Sequence, residues 1–190
     1  LNGAEVVGVV EKDPARALSA ARQWGVPNAW DHLEHALATR PDVIHVCTPN
    51  VTHAPFVRLG LDAGLNVICE KPLCLDAGEG AELAATARER DLVAAVPYTY
   101  RYHPLVREIR HRRLAGELGQ MHLVHGSYLQ DWLLSPNASS WRVDPALGGT
   151  SRAFADIGSH WCDLVEWVSG ERIAEEKTDS LMPQMDLGFA

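Results

Sequence analysis

The sequence lacks several patterns that identify particular classes of protein. Every apolar run falls short of the roughly 18 to 20 residues that span a bilayer, and no basic stretch followed by an apolar one opens the chain. The formal net charge is −8, and acidic and basic residues are interspersed without a block of like charge, so no stretch resembles a surface that follows the phosphate backbone of a nucleic acid. These absences predict a soluble protein with neither a membrane nor a nucleic acid as partner.

The four cysteines of the chain do not form a recognisable sequence motif. They form no CxxC pair and show no spacing typical of zinc ligands, so no metal site is predicted. Cys47 and Cys69 lie inside apolar runs and are expected to be small core residues. With Cys74 and Cys162, they are interpreted as reduced thiols of a cytoplasmic protein.

Up to about residue 100, short apolar segments alternate with helical ones. The first pair is a strand over 4–13 and a helix over 13–25, with Asp13 as N-cap, Pro14 at the first position and Gly25 as the stop. Strands that are apolar throughout and alternate with helices indicate a doubly wound parallel sheet. The remaining predicted strands cover 41–50, 66–72 and 92–100, and the remaining helices cover 52–64 and 77–91.

Beyond residue 100 the pattern changes, which predicts a second domain over 101–190 after a first domain over 1–100. Residues 103–119 read as a helix with a basic face, and 120–130 as a strand of a more open sheet. Residues 135–151 are rich in Gly, Pro, Ser and Asn and predict a long loop, which is often functional. Residues 156–170 read as a helix that stops at Gly170.

Ligands of a doubly wound sheet bind at the carboxyl ends of its strands, so the residues there are candidates. Glu11 suits the ribose hydroxyls of a dinucleotide, or it is an ordinary charged strand end. Lys12 beside it suits a 2′-phosphate, which leaves the choice between NAD and NADP open. Thr48, Asn50 and His53 surround a turn that either faces a ligand or caps a helix.

Two further groups carry acid–base chemistry. In the Glu-Lys-Pro triplet at 70–72, Lys71 is either a solvated strand end or placed to polarise or protonate a substrate oxygen. Asp156, His160 and Asp163 share a helix face by their spacing. That spacing fits a histidine acid/base oriented by a carboxylate, a histidine–carboxylate metal site, or a helix-start acid with a structural histidine.

Several stretches together resemble the glucose-fructose oxidoreductase and inositol dehydrogenase family, known as Gfo/Idh/MocA. They are "VVGVVEKDPARA", "VIHVCTPNVTHAPFVRLGLDAGLNVICEKPL", "YRYHP", "WRVDPALGG" and "DIGSHWCDL". The resemblance implies a Rossmann domain followed by an α+β domain with an open, mostly antiparallel sheet. It further implies hydride transfer between NAD or NADP and a sugar, cyclitol or polyol carbinol, and a homo-oligomer at full length.

The resemblance also implies roles for individual residues. Lys71 would bond the reacting oxygen, His160 would be the principal acid/base, and Asp156 would bind substrate or assist the proton relay. The resemblance also implies most of the cofactor-binding residues, and Glu11 and Lys12 join them because they follow the first predicted strand. The full set is Glu11, Lys12, Thr48, Pro49, Asn50, His53, Glu70, Lys71, Trp141 and Arg142.

Two departures from the family pattern lead us to expect an incomplete Rossmann domain, a partial second domain and hence a fragment. No G-x-G-x-x-G turn is present, and the stretch after Gly170 is short. An inactive remnant or interaction module of the family therefore stands as the alternative to an oxidoreductase. A lyase or hydrolase that uses bound NAD transiently is a third hypothesis.

Overall fold

The computed structural model describes residues 3–135, 137–151 and 154–173. Within them the strands are β1 (Val9–Val10), β2 (Ala29–Trp30), β3 (Val43–Val46), β4 (Asn66–Cys69) and β5 (Ala94–Ala95). The helices are α1 (Pro14–Trp24), α2 (Leu33–Ala38), α3 (His53–Asp62), α4 (Ala77–Glu89), α5 (Pro104–Leu114), α6 (Pro145–Gly148) and α7 (Ser159–Ser169).

All strand pairs in the described residues are parallel, and they form two sheets. β1 pairs with β2, while β4 lies between β3 and β5 in the second sheet. Strands and helices alternate through β5, which confirms the predicted Rossmann-like α/β fold. β2 and α2 were not predicted, because a strand of two residues and a helix of six are too short to show a hydrophobic period.

The core lies between one face of the β3–β4 pair and the helices α3 and α4. Ile44 and Val46 on β3 are buried, whereas the alternating Val43 and His45 are exposed, so only one face of this strand is covered. Leu61 on α3 is 0% exposed. The other buried members of the cluster are Ala54, Val57, Leu65, Val67, Cys69, Leu83 and Ala87.

The ends of the described helices follow ordinary capping chemistry. The Asp13 carboxylate accepts a hydrogen bond of 2.8 Å from the N–H of Ala15, and Gly25 ends α1 at a φ of 66°. Gly170 ends α7 in the same left-handed region, at 77°. These observations confirm the predicted ends of both helices. None of the described helices combines the length and apolar character needed to cross a membrane.

The strand predicted over 120–130 is wrong, since the described structure has no strand there. A strand requires a neighbour to satisfy its backbone groups, and no described segment pairs with these residues. The open antiparallel sheet implied by the resemblance is accordingly not formed among the described residues. The expected loop at 135–151 holds one short 3₁₀ turn, Trp141–Val143, and the four-residue helix α6.

Of the two cysteines predicted to lie in the core, one does and one does not. Cys69 is buried, and its burial, with a smaller effect from Glu70, raises its thiol pKa to about 12. Cys47 is exposed, so that prediction was wrong. Side chains alternate along β3, and Cys47 follows Val46 onto the face that no described helix covers.

We predict that Leu61→Ala will lower the free energy of unfolding by about 2–5 kcal/mol, because it removes a buried side chain from the packed core. Leu59→Ala, on the same helix but 40% exposed, is the matched control and should cost less than about 1 kcal/mol. Urea unfolding followed by circular dichroism measures both. Equal costs for the two variants would contradict the assignment of this core.

Candidate active site

Lys71 and Asp156 form the contact around which the candidate site is built. The Lys71 ammonium donates to the backbone carbonyl of Asp156 at 2.5 Å and to its carboxylate at 3.1 Å. The two side chains are only 14% and 17% exposed. A charge-assisted hydrogen bond with this little solvent contact is stronger than a surface ion pair, so it holds the lysine in a defined position.

The turn after β4 is held by a buried histidine. His53, at the start of α3 and 1% exposed, places Nδ1 2.6 Å from the carbonyl oxygen of Pro72 and Nε2 2.7 Å from that of Thr48. The Lys71–Pro72 peptide bond is cis. The His53 ring therefore joins the turns that follow β3 and β4. Its predicted place in the cofactor site stays a prediction, and the structure adds this bridging contact.

Asp156 lies in a π-helical turn, Phe154–Gly158, that leads into α7. Such turns insert an extra residue into a helix and occur frequently at functional sites. The Ser159 hydroxyl donates to the carbonyl of Ala155 at 3.1 Å at the junction with α7. The turn presents Asp156 to Lys71, and the first turn of α7 carries His160.

The loop at 141–149 is fastened to the turn after β3. The buried Asn50 side chain donates to the carbonyl of Gly148 at 2.8 Å. In the same loop, Nε of Arg142 lies 3.5 Å from the Asp156 carboxylate, and its guanidinium stacks 4.6 Å from the centre of the Trp141 ring. Arg142 thus contacts the same carboxylate as Lys71.

His160 is surrounded by tyrosines. The ring centres of Tyr98, Tyr100 and Tyr128 lie 5.7, 4.9 and 6.4 Å from its imidazole. Its Nδ1 is buried and has no hydrogen-bond partner among the described residues. Burial lowers the pKa of His160, and the positive charge of Lys71 lowers it further. The imidazole therefore favours its neutral form near pH 7.

Asp163 is paired with Arg101 and not with His160. The Arg101 Nε lies 2.8 and 3.0 Å from the two carboxylate oxygens, and a terminal nitrogen makes a second contact. The carboxylate side chain is only 8% exposed, and this hydrogen bonding raises the pKa of Arg101. Asp156 is likewise bound to Lys71. Neither carboxylate is therefore directed at the His160 imidazole, although a histidine–carboxylate metal site or an orienting carboxylate would require that contact.

Glu11 and Lys12 lie apart from this group, after β1 in the other sheet. The Glu11 carboxylate accepts from the N–H of Asp13 at 3.4 Å and lies 3.7 Å from Arg16. In the described part of the chain, no hydrogen bond or ion pair connects Glu11 or Lys12 to Lys71. The structure therefore brings together Lys71, Asp156 and Arg142 by direct contact, with His160 near enough for its pKa to respond to Lys71.

Sequence reasoning missed Tyr128 and Arg101, and it assigned no role to Tyr100. Tyr100 and Tyr128 face His160 and make a hydroxyl–hydroxyl contact with each other, although 28 residues separate them. Arg101 contacts Asp163 across 62 residues. No local spacing reports such contacts. The only available signal was the position of Tyr98 and Tyr100 just after a predicted strand.

Comparison with known proteins identifies the family. Residues 1–98 match the family model described as an oxidoreductase family with an NAD-binding Rossmann fold, and residues 106–180 match the GFO/IDH/MocA C-terminal domain. The chain belongs to the Gfo/Idh/MocA oxidoreductase family, which confirms the resemblance drawn from its motifs.

Three relatives show how far the likeness extends. Levoglucosan dehydrogenase of Pseudarthrobacter phenanthrenivorans is 32% identical over 86% of this chain and 42% of its own. D-xylose 1-dehydrogenase (NADP(+)) 2 of Haloferax volcanii is 33% identical over 93% and 54%. The crystal structure of an inositol dehydrogenase homologue from Azotobacter vinelandii, complexed with NAD+, has a TM-score of 0.79 and 34% identity over 87% and 46%. The chain spans about half the length of these relatives.

We predict that His160 titrates below the ordinary histidine pKa of about 6.5, with two causes that can be separated. Lys71→Met should raise the pKa of His160 only in part, because burial remains, whereas Lys71→Arg should leave it low because the charge is kept. Ring-proton NMR shifts followed against pH measure both. An identical His160 pKa in the two variants would contradict a direct effect of the lysine charge.

The same shift fixes the sign of a pH effect on stability. Since the pKa of His160 is lower in the folded chain, the unfolded chain binds more protons between the folded and unfolded pKa values. The contribution of His160 to stability is therefore complete above about pH 6.5 and is lost as the pH falls through the folded pKa.

Proposed function

We propose that this chain carries the catalytic lysine and histidine of an NAD(P)-dependent oxidoreductase that acts on a carbinol of a sugar, cyclitol or related polyol. The single observation that carries the proposal is the Lys71 ammonium hydrogen-bonded to Asp156 close to His160, whose lowered pKa favours the neutral imidazole. The substrate class follows the names of the relatives, which act on levoglucosan and D-xylose.

Lys71 has the hydrogen-bonding capacity that this role requires. An ammonium group has three N–H donors, and two of them are directed at the carbonyl and carboxylate of Asp156. The third is available among the described contacts for a substrate oxygen. A cation held in place at that oxygen would stabilise the negative charge that develops when a carbinol loses its proton.

His160 supplies the acid–base step. Oxidation of a carbinol removes a hydride from carbon and a proton from the hydroxyl. A neutral imidazole accepts that proton in the oxidation direction and returns it in the reduction direction. The pKa of His160, lowered by burial and by Lys71, keeps the ring in the accepting form near pH 7.

The residues at the carboxyl edge fit the nicotinamide end of NAD or NADP. Thr48, Pro49 and Asn50 form a polar turn after β3, Glu70 is half-buried after β4, and Trp141 and Arg142 lie on the loop that Asn50 fastens to this edge. Glu11 and Lys12 would lie at the adenosine end. When bound, the nicotinamide would exchange the hydride with the carbinol carbon.

Further features of the whole protein belong to the same proposal. We place the cofactor domain at residues 1–100 and the substrate domain at 101–190, in a cytoplasmic protein that forms a homo-oligomer at full length. The alternative is an interaction module of the family that does not bind cofactor productively.

Cofactor binding distinguishes the two functions. We expect the 190-residue chain to enhance or shift nicotinamide fluorescence saturably when titrated with NADH or NADPH. The fluorescence of free cofactor in buffer is the reference. Absence of saturable binding at millimolar cofactor would reject the enzyme for this chain and leave the interaction module.

We predict that Lys71→Met and His160→Asn each lower kcat by about 100- to 10,000-fold with little change in KM, because both act mainly in the transition state. The assay is sugar- or inositol-dependent formation of NADH or NADPH. His32→Asn, at an exposed histidine in the turn between β2 and α2, is the control and should leave kcat unchanged. Unchanged turnover in either site variant would remove that residue from the chemistry.

A further inference from the structure

Three side chains capable of binding a metal ion meet at the carboxyl ends of β3 and β4. They are His45, Cys47 and Glu70, and their ligand atoms all lie within 4.8 Å of one another. The His45 Nε2 is 3.6 Å from a carboxylate oxygen of Glu70. Among the described residues, no other group of three or more His, Cys, Asp or Glu side chains brings its ligand atoms this close together.

The strand geometry explains why these side chains converge. His45 lies opposite Ile68 and Val46 opposite Cys69 in the parallel pair, so the next residues along, Cys47 and Glu70, also fall opposite each other. Alternation then directs His45 and Cys47 to the same face, away from the core side of β3. The backbone therefore fixes the three attachment points.

The set of ligand atoms selects a class of metal. Imidazole nitrogen and thiolate sulfur favour zinc and similar transition metals, whereas magnesium and calcium prefer oxygen ligands alone. A thiolate and a carboxylate together also balance a divalent charge. Three protein ligands leave one position of a tetrahedral ion for water, as in open zinc sites.

The observed separations are compatible with binding after small side-chain rotations. Ligand atoms on one tetrahedral zinc ion lie roughly 3.3 to 3.8 Å apart, given metal–ligand bonds of about 2.0 to 2.3 Å. The three atoms, which lie within 4.8 Å of one another, need to approach each other by at most about 1.5 Å. His45 and Cys47 are exposed and Glu70 is half-buried, so these side chains have room to turn.

We propose that His45, Cys47 and Glu70 form a binding site for Zn²⁺ or a similar divalent transition-metal ion. The site shares Glu70 with the predicted cofactor-binding residues but uses neither Lys71 nor His160. It therefore stands independently of the proposed oxidoreductase activity. It also departs from the sequence prediction, which expected no metal site because the cysteines form no CxxC pair and show no spacing typical of zinc ligands.

The site is tested with Co²⁺ as a spectroscopic probe on the reduced 190-residue chain. We expect saturable binding of one ion with a thiolate-to-cobalt charge-transfer band in the near ultraviolet, displaced by Zn²⁺. Cys47→Ser should abolish the band, while Cys74→Ser should retain it. His45→Gln and Glu70→Gln should weaken binding by about tenfold or more, since even indirect contacts to a metal are worth 10- to 100-fold.

Alkylation provides a second measurement that needs no variant. Zn²⁺ should protect Cys47 from iodoacetamide, as read by peptide mapping, and should leave Cys74 reactive. The proposal is overturned if no charge-transfer band forms, if the band persists in Cys47→Ser, or if Zn²⁺ fails to protect Cys47. Far-ultraviolet circular dichroism of each variant ensures that a lost band reflects a lost ligand and not an unfolded chain.

Discussion

The contact between Lys71 and Asp156 connects parts of the chain that are 85 residues apart. It joins the end of β4, in the parallel sheet, to the π-helical turn that starts α7. Because both side chains are largely removed from water, neither charge is well solvated without the other. The position of His160, one turn along from Asp156, depends on this contact, and so does the orientation of the lysine.

Other contacts reinforce the same junction from both sides. His53 holds the turn after β4 that contains Lys71, and Asn50 fastens the loop that brings Arg142 to Asp156. On the α7 side, Arg101 binds Asp163 and so fixes the segment that places Tyr98 and Tyr100 against His160. The site is therefore built from local turns that long-range hydrogen bonds hold in register.

Helix ends and the parallel strand–helix arrangement of this structure could be predicted from sequence, and contacts between distant side chains could not. Asp13 marks a helix start through its capping carboxylate, and Gly25 and Gly170 mark helix ends through their left-handed backbone, so the sequence predicted all three. Cys47 was misplaced because an apolar run does not reveal which strand face is covered. The pairing of Arg101 with Asp163 leaves no local pattern at all. Lys71 and His160 were chosen from motifs, but their shared neighbour Asp156 became a contact only in three dimensions.

The most direct test of this arrangement is a double-mutant cycle on the free energy of unfolding with Lys71→Met, Asp156→Asn and the pair combined. Contact between the two residues predicts a coupling energy of about 0.5–3 kcal/mol. The backbone carbonyl of Asp156 still accepts from Lys71 in the single Asn variant, so the lower part of that range is expected. Additivity within about 0.3 kcal/mol would show that the two side chains do not interact, and would contradict the proposed site.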